Sequence, residues 1–256
     1  MFRFCRRGFA DWTKFRPYRY AHRGLHDISL GIPENSMPAF RRAAELGFGI
    51  ELDVHLTTDG KLIVIHDGNL KRLLGIDRKA NTLSSKEYQQ YGILGTEEHA
   101  PLLEDVLPLF EGKAPVILEI KVDDGNAAAV TEAACRMVDR FSAEVCMESF
   151  HPQVVAWLRK HRPDIVRGQL SCDYAKEKGV SMHPLLRRPM AGLYANFLTQ
   201  PDFIAYQYAD RRHPAVRLCR EKYGAQEVSW TIKSQADLDA AEADGCIVIF
   251  EGFIPE

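Results

Sequence analysis

The sequence has no long apolar run, no strong excess of one charge and no paired-cysteine motif, and each absence excludes a class of protein. No segment approaches the roughly 20 apolar residues of a membrane-spanning helix. The net charge of −2 lacks the basic excess that is typical of nucleic-acid-binding proteins. The six cysteines include no Cys-x-x-Cys pair, which argues against a zinc knuckle. We therefore expect no transmembrane segment and no nucleic-acid partner.

The remaining bulk properties fit a globular protein of a reducing compartment. The first residues are basic but lack the apolar stretch of a signal peptide, and the scattered cysteines suit a reducing compartment. A hydrophobic content of 46% over 256 residues is enough for a sizeable core. We find no internal repeat. A chain of 256 residues suits one large domain or two small ones, and we expect a single domain over residues 1–256 and a cytoplasmic location.

Three polar side chains occupy alternate positions of the apolar run around residue 52. In a strand, residues two apart share a face, so Glu51, Asp53 and His55 point the same way. Carboxylates on a buried face are costly unless a cation or partner compensates them, which suggests a metal site. The alternative is an edge strand whose polar face lies in water.

A hairpin follows this strand. Asp59-Gly60 is a turn signal between two apolar runs, and the second run ends at His66-Asp67. The turn should therefore bring His66 back beside the strand that carries the carboxylates.

Strand-like and helix-like segments alternate along the chain, which favours a parallel sheet with crossover helices. Residues 68–115 do not fit a single crossover, and we interpret them as an insertion after the second strand. Residues 192–196 and 203–206 compete for one strand position. The predicted strands are 18–22, 49–55, 116–121, 145–149, 165–170, one of the two competing segments, 227–232 and 246–250, with helices over 37–46, 127–140 and 153–161.

Several ordered motifs resemble the glycerophosphodiester phosphodiesterases, and the resemblance covers nearly the whole chain. The strongest are His22-Arg23-Gly24, Pro33-Glu34-Asn35-Ser36, Glu51-Leu52-Asp53-Val54 with Asp59-Gly60, His66-Asp67 and Leu118-Glu119-Ile120-Lys121; Glu148-Ser149-Phe150 and Ser229-Trp230-Thr231 are weaker. The resemblance implies a TIM (β/α)8 barrel with a small insertion after the second strand. In such barrels the chemistry lies at the carboxyl ends of the strands.

The carboxylates then form an all-oxygen ligand set. Hard oxygen ligands select Mg²⁺, Ca²⁺ or Mn²⁺ over zinc, which makes a divalent cation the expected cofactor. Glu51, Asp53, Glu119 and Glu34 match positions that the family uses for this cation. Read alone, Glu34 is a helix N-terminal acid placed for the helix dipole.

Phosphodiester cleavage needs positive charge for the phosphoryl oxygens and groups that move protons. His22 and His66 match the catalytic family motifs, and two histidines can do the proton transfer near neutral pH. Arg23 can bind two phosphate oxygens and Lys121 can act as a point charge. Trp230 resembles a residue of the family's glycerol pocket, although a lone aromatic is more often core.

The resemblance implies hydrolysis of small-molecule glycerophosphodiesters to glycerol 3-phosphate and an alcohol, as part of lipid and glycerol metabolism. Alternatives are a lysophospholipase D on the same barrel, a non-catalytic barrel that binds a phosphorylated ligand, and an enolase-like barrel with Lys121 as base. Headgroup, direct or cyclic-phosphate route and oligomeric state stay open. The chain departs from the family after the last strand, where Phe250-Glu251-Gly252-Phe253 replaces a Thr-Asp-x-Pro segment.

Overall fold

The computed structural model describes residues 5–6, 10–176 and 182–256. The chain divides into two compact units: Pro17–Cys146, and Met147–Glu256 together with the described residues that precede Pro17.

The first unit is built on three parallel strands, β1, β2 and β4, and one antiparallel strand, β3. Ser36 caps α1 by accepting from the backbone N–H of Ala39, and the helix ends before Gly47, which has a φ of 77°. The elements are β1 Tyr20–His22, α1 Met37–Glu45, β2 Gly49–Leu56, β3 Leu62–Val64, α2 Lys71–Leu74, α3 Ser85–Tyr88, α4 Leu103–Val106, β4 Val116–Ile120 and α5 Ala127–Val138.

Strand β2 is central to this unit, because it pairs with β1 on one side and with β4 on the other. All its residues except the last are buried, so the alternative of a solvated edge strand is wrong. The register pairs His22 with Glu51 and Asp53 with Glu119. The parallel ladder thus brings ionisable residues of three strands side by side.

The predicted hairpin and insertion are both present. Strand β3 runs antiparallel to β2, and Gly60 in the connecting turn has a φ of 74°, a conformation that glycine adopts without penalty. The insertion consists of short helices over a small apolar core of its own, and Ser84 with Glu87 forms a capping box on α3. Its buried residues include Ile63, Ile65, Leu70, Leu73, Leu74, Ala80, Leu83, Tyr88, Ile93 and Ala100.

The second unit carries five parallel strands that follow one another in register. Residues 203–206 belong to β7, whereas 192–196 lie between α7 and the start of α8. Its elements are β5 Val145–Ser149, α6 Pro152–His161, β6 Arg167–Ser171, α7 Pro184–Ala191, α8 Asn196–Thr199, β7 Phe203–Gln207, α9 Pro214–Tyr223, β8 Gln226–Ile232, α10 Gln235–Ala243 and β9 Ile247–Phe250.

Strand β6 begins two residues later than predicted. Ile165 belongs to a turn, in which its N–H donates to the carbonyl of Arg162. The strand starts instead at the buried Arg167, whose guanidinium donates to the carbonyl of Gln200. A hydrophobicity pattern misses the start of this strand because the first strand residue is charged. The partner that makes its burial possible lies far along the chain and cannot be identified from the local sequence.

The described elements follow the order of a TIM (β/α)8 barrel, eight parallel strands alternating with helices, with the insertion between β2 and β4. The fold class predicted from the sequence is confirmed. Within the described ranges, no helix is long and apolar enough to cross a membrane.

Candidate active site

Three carboxylates meet where β2 and β4 run side by side. One oxygen each from Glu51, Asp53 and Glu119 lies within 4.8 Å of the others, and all three residues are buried. The placement follows from the strand pattern: Glu51 and Asp53 are two apart on β2, and Glu119 is the register partner of Asp53. This set, the acidic group, supplies the hard oxygen donors that suit Mg²⁺, Ca²⁺ or Mn²⁺.

Lys121 lies against the acidic group, just beyond the end of β4. Its Nζ is 2.9 Å from Asp53 Oδ1 and 2.7 Å from Glu119 Oε1. Burial opposes its charge, but the two carboxylates outweigh burial and raise the pKa of Lys121. The ammonium group is therefore charged and offsets part of the negative charge of the acidic group.

The two carboxylates beside Lys121 differ in their protonation. Burial favours the neutral form of Asp53, but the charges of Lys121, His66 and Arg23 outweigh it and hold the pKa of Asp53 well below its usual value. Burial raises the pKa of Glu119 to about 7, with Asp53 adding to the shift and Lys121 opposing it. Of these two carboxylates, Asp53 is therefore the more fully ionised.

His22 and Arg23 leave the end of β1 through a left-handed turn. Arg23 has a φ of 56° and Gly24 a φ of 80°. A Cβ at position 24 would lie 2.9 Å from both Ala39 Cβ and Phe40 Cδ1, so the turn requires glycine there. This geometry places His22 Nε2 3.9 Å from Glu51 Oε2 and lets the Arg23 N–H donate to the same oxygen at 3.2 Å.

The Arg23 guanidinium lies between two carboxylates. Its Nη1 donates to Glu34 Oε1 at 2.7 Å, and its Nε is 3.6 Å from Asp53 Oδ2. Burial disfavours the charge, but Asp53, Glu34 and Glu51 overcome it and raise the pKa of Arg23. A charged and anchored guanidinium at the edge of the acidic group is suited to bind an anionic ligand.

Glu34 is placed differently from the other predicted metal ligands. Within the part of the chain that the structure describes, the group close enough to share one ion contains Glu51, Asp53 and Glu119 and does not include Glu34. Both Glu34 oxygens instead accept hydrogen bonds from Arg23 and Arg72. Burial opposes ionisation of Glu34, yet Arg72 and Arg23 lower its pKa, so it is an ionised partner of two arginines.

His66 returns to the site on the hairpin, as the turn signal predicts. The backbone N–H of Ile65 donates to the carbonyl of Asp53 at 3.1 Å, and His66 Nδ1 lies 2.7 Å from Asp67 Oδ1. Burial and the charge of Lys121 lower the pKa of His66, although Asp53 and Asp67 oppose the shift. With Nδ1–H donated to Asp67, the neutral ring presents Nε2 as a proton acceptor.

His55 supports the hairpin from the strand beneath it. Its Nδ1 lies 2.6 Å from Asp123 Oδ2 and its Nε2 3.3 Å from the carbonyl oxygen of His66. Among the described residues, His55 does not belong to the acidic group. Asp123, its carboxylate partner, carries no signal in the sequence beyond its closeness to Lys121.

Two further residues were not singled out by sequence reasoning. Asn35 has a φ of 53°, and its Nδ2 donates to Asp53 Oδ2 at 2.9 Å. Asparagine tolerates the left-handed region, so its place in the Pro-Glu-Asn-Ser motif is an available signal. Arg72 lies on α2 of the insertion and binds Glu34 and Asp67. Neither a repeating pattern nor the sequence around Arg72 predicts these contacts.

Trp230 belongs to the second unit, where it packs among aromatic and apolar side chains. Its ring is 5.6 Å from that of Phe150 in an edge-to-face arrangement, and Phe150 in turn contacts Tyr174 at 6.5 Å. The atypical end of the chain is ordered by two contacts: Phe253 packs 5.7 Å from Phe250, and the Glu251 N–H donates to the carbonyl of Ile232.

Comparisons with known proteins identify a family. The model of the "Glycerophosphoryl diester phosphodiesterase family" matches residues 22–250. A glycerophosphodiester phosphodiesterase of Bacillus altitudinis is 30% identical over 192 residues, which cover 69% of this chain and 74% of that protein.

Two solved structures share the fold at low identity. A glycerophosphodiester phosphodiesterase from Parabacteroides distasonis has a TM-score of 0.70 at 21% identity, covering 91% of this chain and 92% of its own. A phosphodiesterase of Oleispira antarctica, in complex with the product sn-glycerol-3-phosphate, has a TM-score of 0.72 at 18% identity, covering 94% of each chain.

Proposed function

Since this chain belongs to the glycerophosphoryl diester phosphodiesterase family and is a phosphodiesterase, we propose that it hydrolyses glycerophosphodiesters to sn-glycerol 3-phosphate and an alcohol. The observation that carries the proposal is the meeting of the acidic group with His22, Arg23, His66 and Lys121 in one unit. The product bound in the Oleispira antarctica relative supports the same substrate class.

The acidic group is proposed to hold a divalent cation through Glu51, Asp53 and Glu119. Their buried, closely spaced oxygens fit Mg²⁺, Ca²⁺ or Mn²⁺, and no sulfur or imidazole donor belongs to the group. Such a cation supplies Lewis-acid stabilisation of the negative charge that grows on the phosphoryl oxygens. Glu34, predicted as a fourth ligand, is better suited to hold Arg23, because its oxygens are occupied by two guanidinium groups.

Arg23 and Lys121 are proposed to bind the phosphate. Arg23 is anchored at one side by Glu34, which leaves the rest of its planar fork for two phosphoryl oxygens. Lys121 is held by Asp53 and Glu119 and contributes charge without a directional fork. Trp230 is proposed to contact the glycerol or alcohol part of the substrate through its ring.

His66 and His22 are proposed to transfer the two protons that the reaction requires. The neutral ring of His66, with Nδ1–H held by Asp67, accepts the proton of the attacking hydroxyl at Nε2. His22, whose Nε2 lies near the Glu51 carboxylate, donates a proton to the departing alkoxide. The attacking hydroxyl belongs either to water, which gives the products directly, or to the glycerol carbon adjacent to the esterified one. The second route releases the alcohol and forms a cyclic phosphate, which water then opens to sn-glycerol 3-phosphate.

Product analysis tests the substrate class. Purified protein is incubated with glycerophosphocholine, glycerophosphoethanolamine, glycerophosphoglycerol and, as the lysophospholipase D alternative, lysophosphatidylcholine. We expect sn-glycerol 3-phosphate and free alcohol from at least one of the first three, and little lysophosphatidic acid from the last. If none of the glycerophosphodiesters is cleaved, the proposal is wrong.

A further inference from the structure

Arg72 binds two carboxylates of the candidate site at once. Its Nη1 and Nη2 donate to Glu34 Oε2 and Oε1 at 2.8 and 3.0 Å. Its Nε and Nη2 donate to Asp67 Oδ2 and Oδ1 at 2.7 and 2.8 Å. Both contacts are bidentate, the geometry in which arginine–carboxylate pairs are strongest and most directional.

Beyond each of these carboxylates lies a residue of the proposed reaction. Glu34 Oε1 also accepts from Arg23 Nη1 at 2.7 Å. Asp67 Oδ1 also binds His66 Nδ1 at 2.7 Å. The guanidinium of Arg72 therefore connects two short series of hydrogen bonds. One leads to Arg23, the proposed phosphate-binding residue, and the other leads to His66, the proposed base.

The insertion holds α2 in place without the Arg72 side chain. Leu70, Leu73 and Leu74 are buried in the apolar core of the insertion, whereas the Arg72 side chain is 47% exposed and turned to the two carboxylates. The two bidentate contacts of Arg72 form a network that can add to stability. Because the three leucines already hold α2, the specific consequence of these contacts is the orientation of Glu34 and Asp67.

We infer that Arg72 is a positioning residue, which sets the orientation of Arg23 through Glu34 and of His66 through Asp67. The inference rests on the proposed function for its effect on turnover, but not for its effect on side-chain position. Lysine cannot replace it, because one ammonium group cannot make two bidentate contacts with separate carboxylates.

The kinetic test compares Arg72→Ala and Arg72→Lys with a matched control, Arg78→Ala. Arg78 lies in the same insertion and pairs with Glu87, 3.3 Å away, with a side chain 42% exposed. We expect Arg72→Ala to lower kcat on the order of tenfold to a hundredfold, as is typical when a partner that orients a site residue is removed. KM should rise as well, because Arg23 is the proposed phosphate-binding residue. Arg72→Lys should recover only part of kcat, and Arg78→Ala should keep the wild-type kcat and KM.

A double-mutant cycle separates positioning from general damage. In a His66→Ala background, Arg72→Ala should lower kcat by a smaller factor than in the wild type, because the hydrogen bonds that link Arg72 to His66 through Asp67 are already lost. Equal losses in both backgrounds, full recovery with Arg72→Lys, or a control as inactive as Arg72→Ala would each overturn the inference while the wild-type enzyme still cleaves the diester.

Crystal structures of Arg72→Ala and Arg78→Ala give a result that does not depend on turnover. We expect the Arg23 and His66 side chains to leave the positions described above, or to adopt several, in Arg72→Ala alone. Unchanged positions of both side chains in Arg72→Ala would overturn the inference. A wild-type protein that cleaves no glycerophosphodiester would instead refute the proposed function.

Discussion

The acidic group and the Arg72 contacts are two parts of one site that the chain builds in different ways. Glu51, Asp53 and Glu119 lie on strands and are at most 6% exposed. Their positions follow from a backbone ladder that pairs Asp53 with Glu119. Arg72 and the carboxylates it binds lie on loops and a short helix, and side-chain hydrogen bonds alone connect them.

The difference teaches how each part should respond to mutation. A strand keeps its side chains in place when one of them is changed, so a substitution in the acidic group removes chemistry and little geometry. In the loops, one side chain holds the next. A substitution there should move residues that it does not touch directly, and its effect should be smaller and partly recoverable.

The largest effect is expected for Asp53→Asn. The change removes a carboxylate whose pKa is held well below its usual value, and with it a full negative charge for a cation. We expect turnover to fall about a thousandfold, the loss of several kcal/mol of metal-assisted stabilisation. Turnover at saturating Mg²⁺ is the measurement, with Asp124→Asn, in an exposed ion pair with Lys79, as the control. Turnover near wild type in Asp53→Asn would refute its role.

His22→Ala and His66→Ala should each lower kcat by about a hundredfold or more, as is usual for a lost general acid or base. Substrate binding should change far less, because neither imidazole is proposed to hold the phosphate. His99→Ala is the control, since His99 is exposed in the insertion and binds only a carbonyl oxygen among the contacts seen. If either histidine variant keeps the wild-type kcat, the proton-transfer role proposed for that histidine is wrong.

A smaller effect is expected from exchanging the two cations. Arg23→Lys should lower kcat/KM about tenfold, because an ammonium cannot copy the planar fork that spans Glu34 and a phosphate. Lys121→Arg should keep more activity if Lys121 supplies charge alone and the larger group fits beside Glu119. Circular dichroism checks that both variants are folded. If Arg23→Lys has a higher kcat/KM than Lys121→Arg, the roles of the two cations are reversed.

The smallest effect is expected from Ser84→Ala, which removes the side-chain cap of α3. The free energy of unfolding should fall by about 1 kcal/mol, and turnover should not change. Ser84→Thr should keep the cap and most of the stability. A loss of turnover in Ser84→Ala would contradict the distinction drawn here, because it would mean that the whole insertion, and not Arg72, orients the site.

The same difference explains what can be predicted from the sequence. The alternation around Asp53 predicts its face and its neighbours, because a strand has a fixed period of two. The hairpin at Gly60 predicts the return of His66 for a similar reason. Arg72 and Glu34 do not follow a periodic pattern, and their partners depend on which groups their long side chains can reach in the folded protein. The expectation that Glu34 joins the metal ligands rests on the family resemblance alone, and its oxygens accept hydrogen bonds from two arginines.

Metal dependence tests the central claim most directly. Protein freed of metal, with its metal content verified, is assayed for release of sn-glycerol 3-phosphate from glycerophosphocholine in excess chelator and after addition of Mg²⁺, Ca²⁺ or Mn²⁺. The acidic group predicts no product in chelator and recovery with at least one of the three ions. Full turnover by the verified metal-free protein would contradict the account.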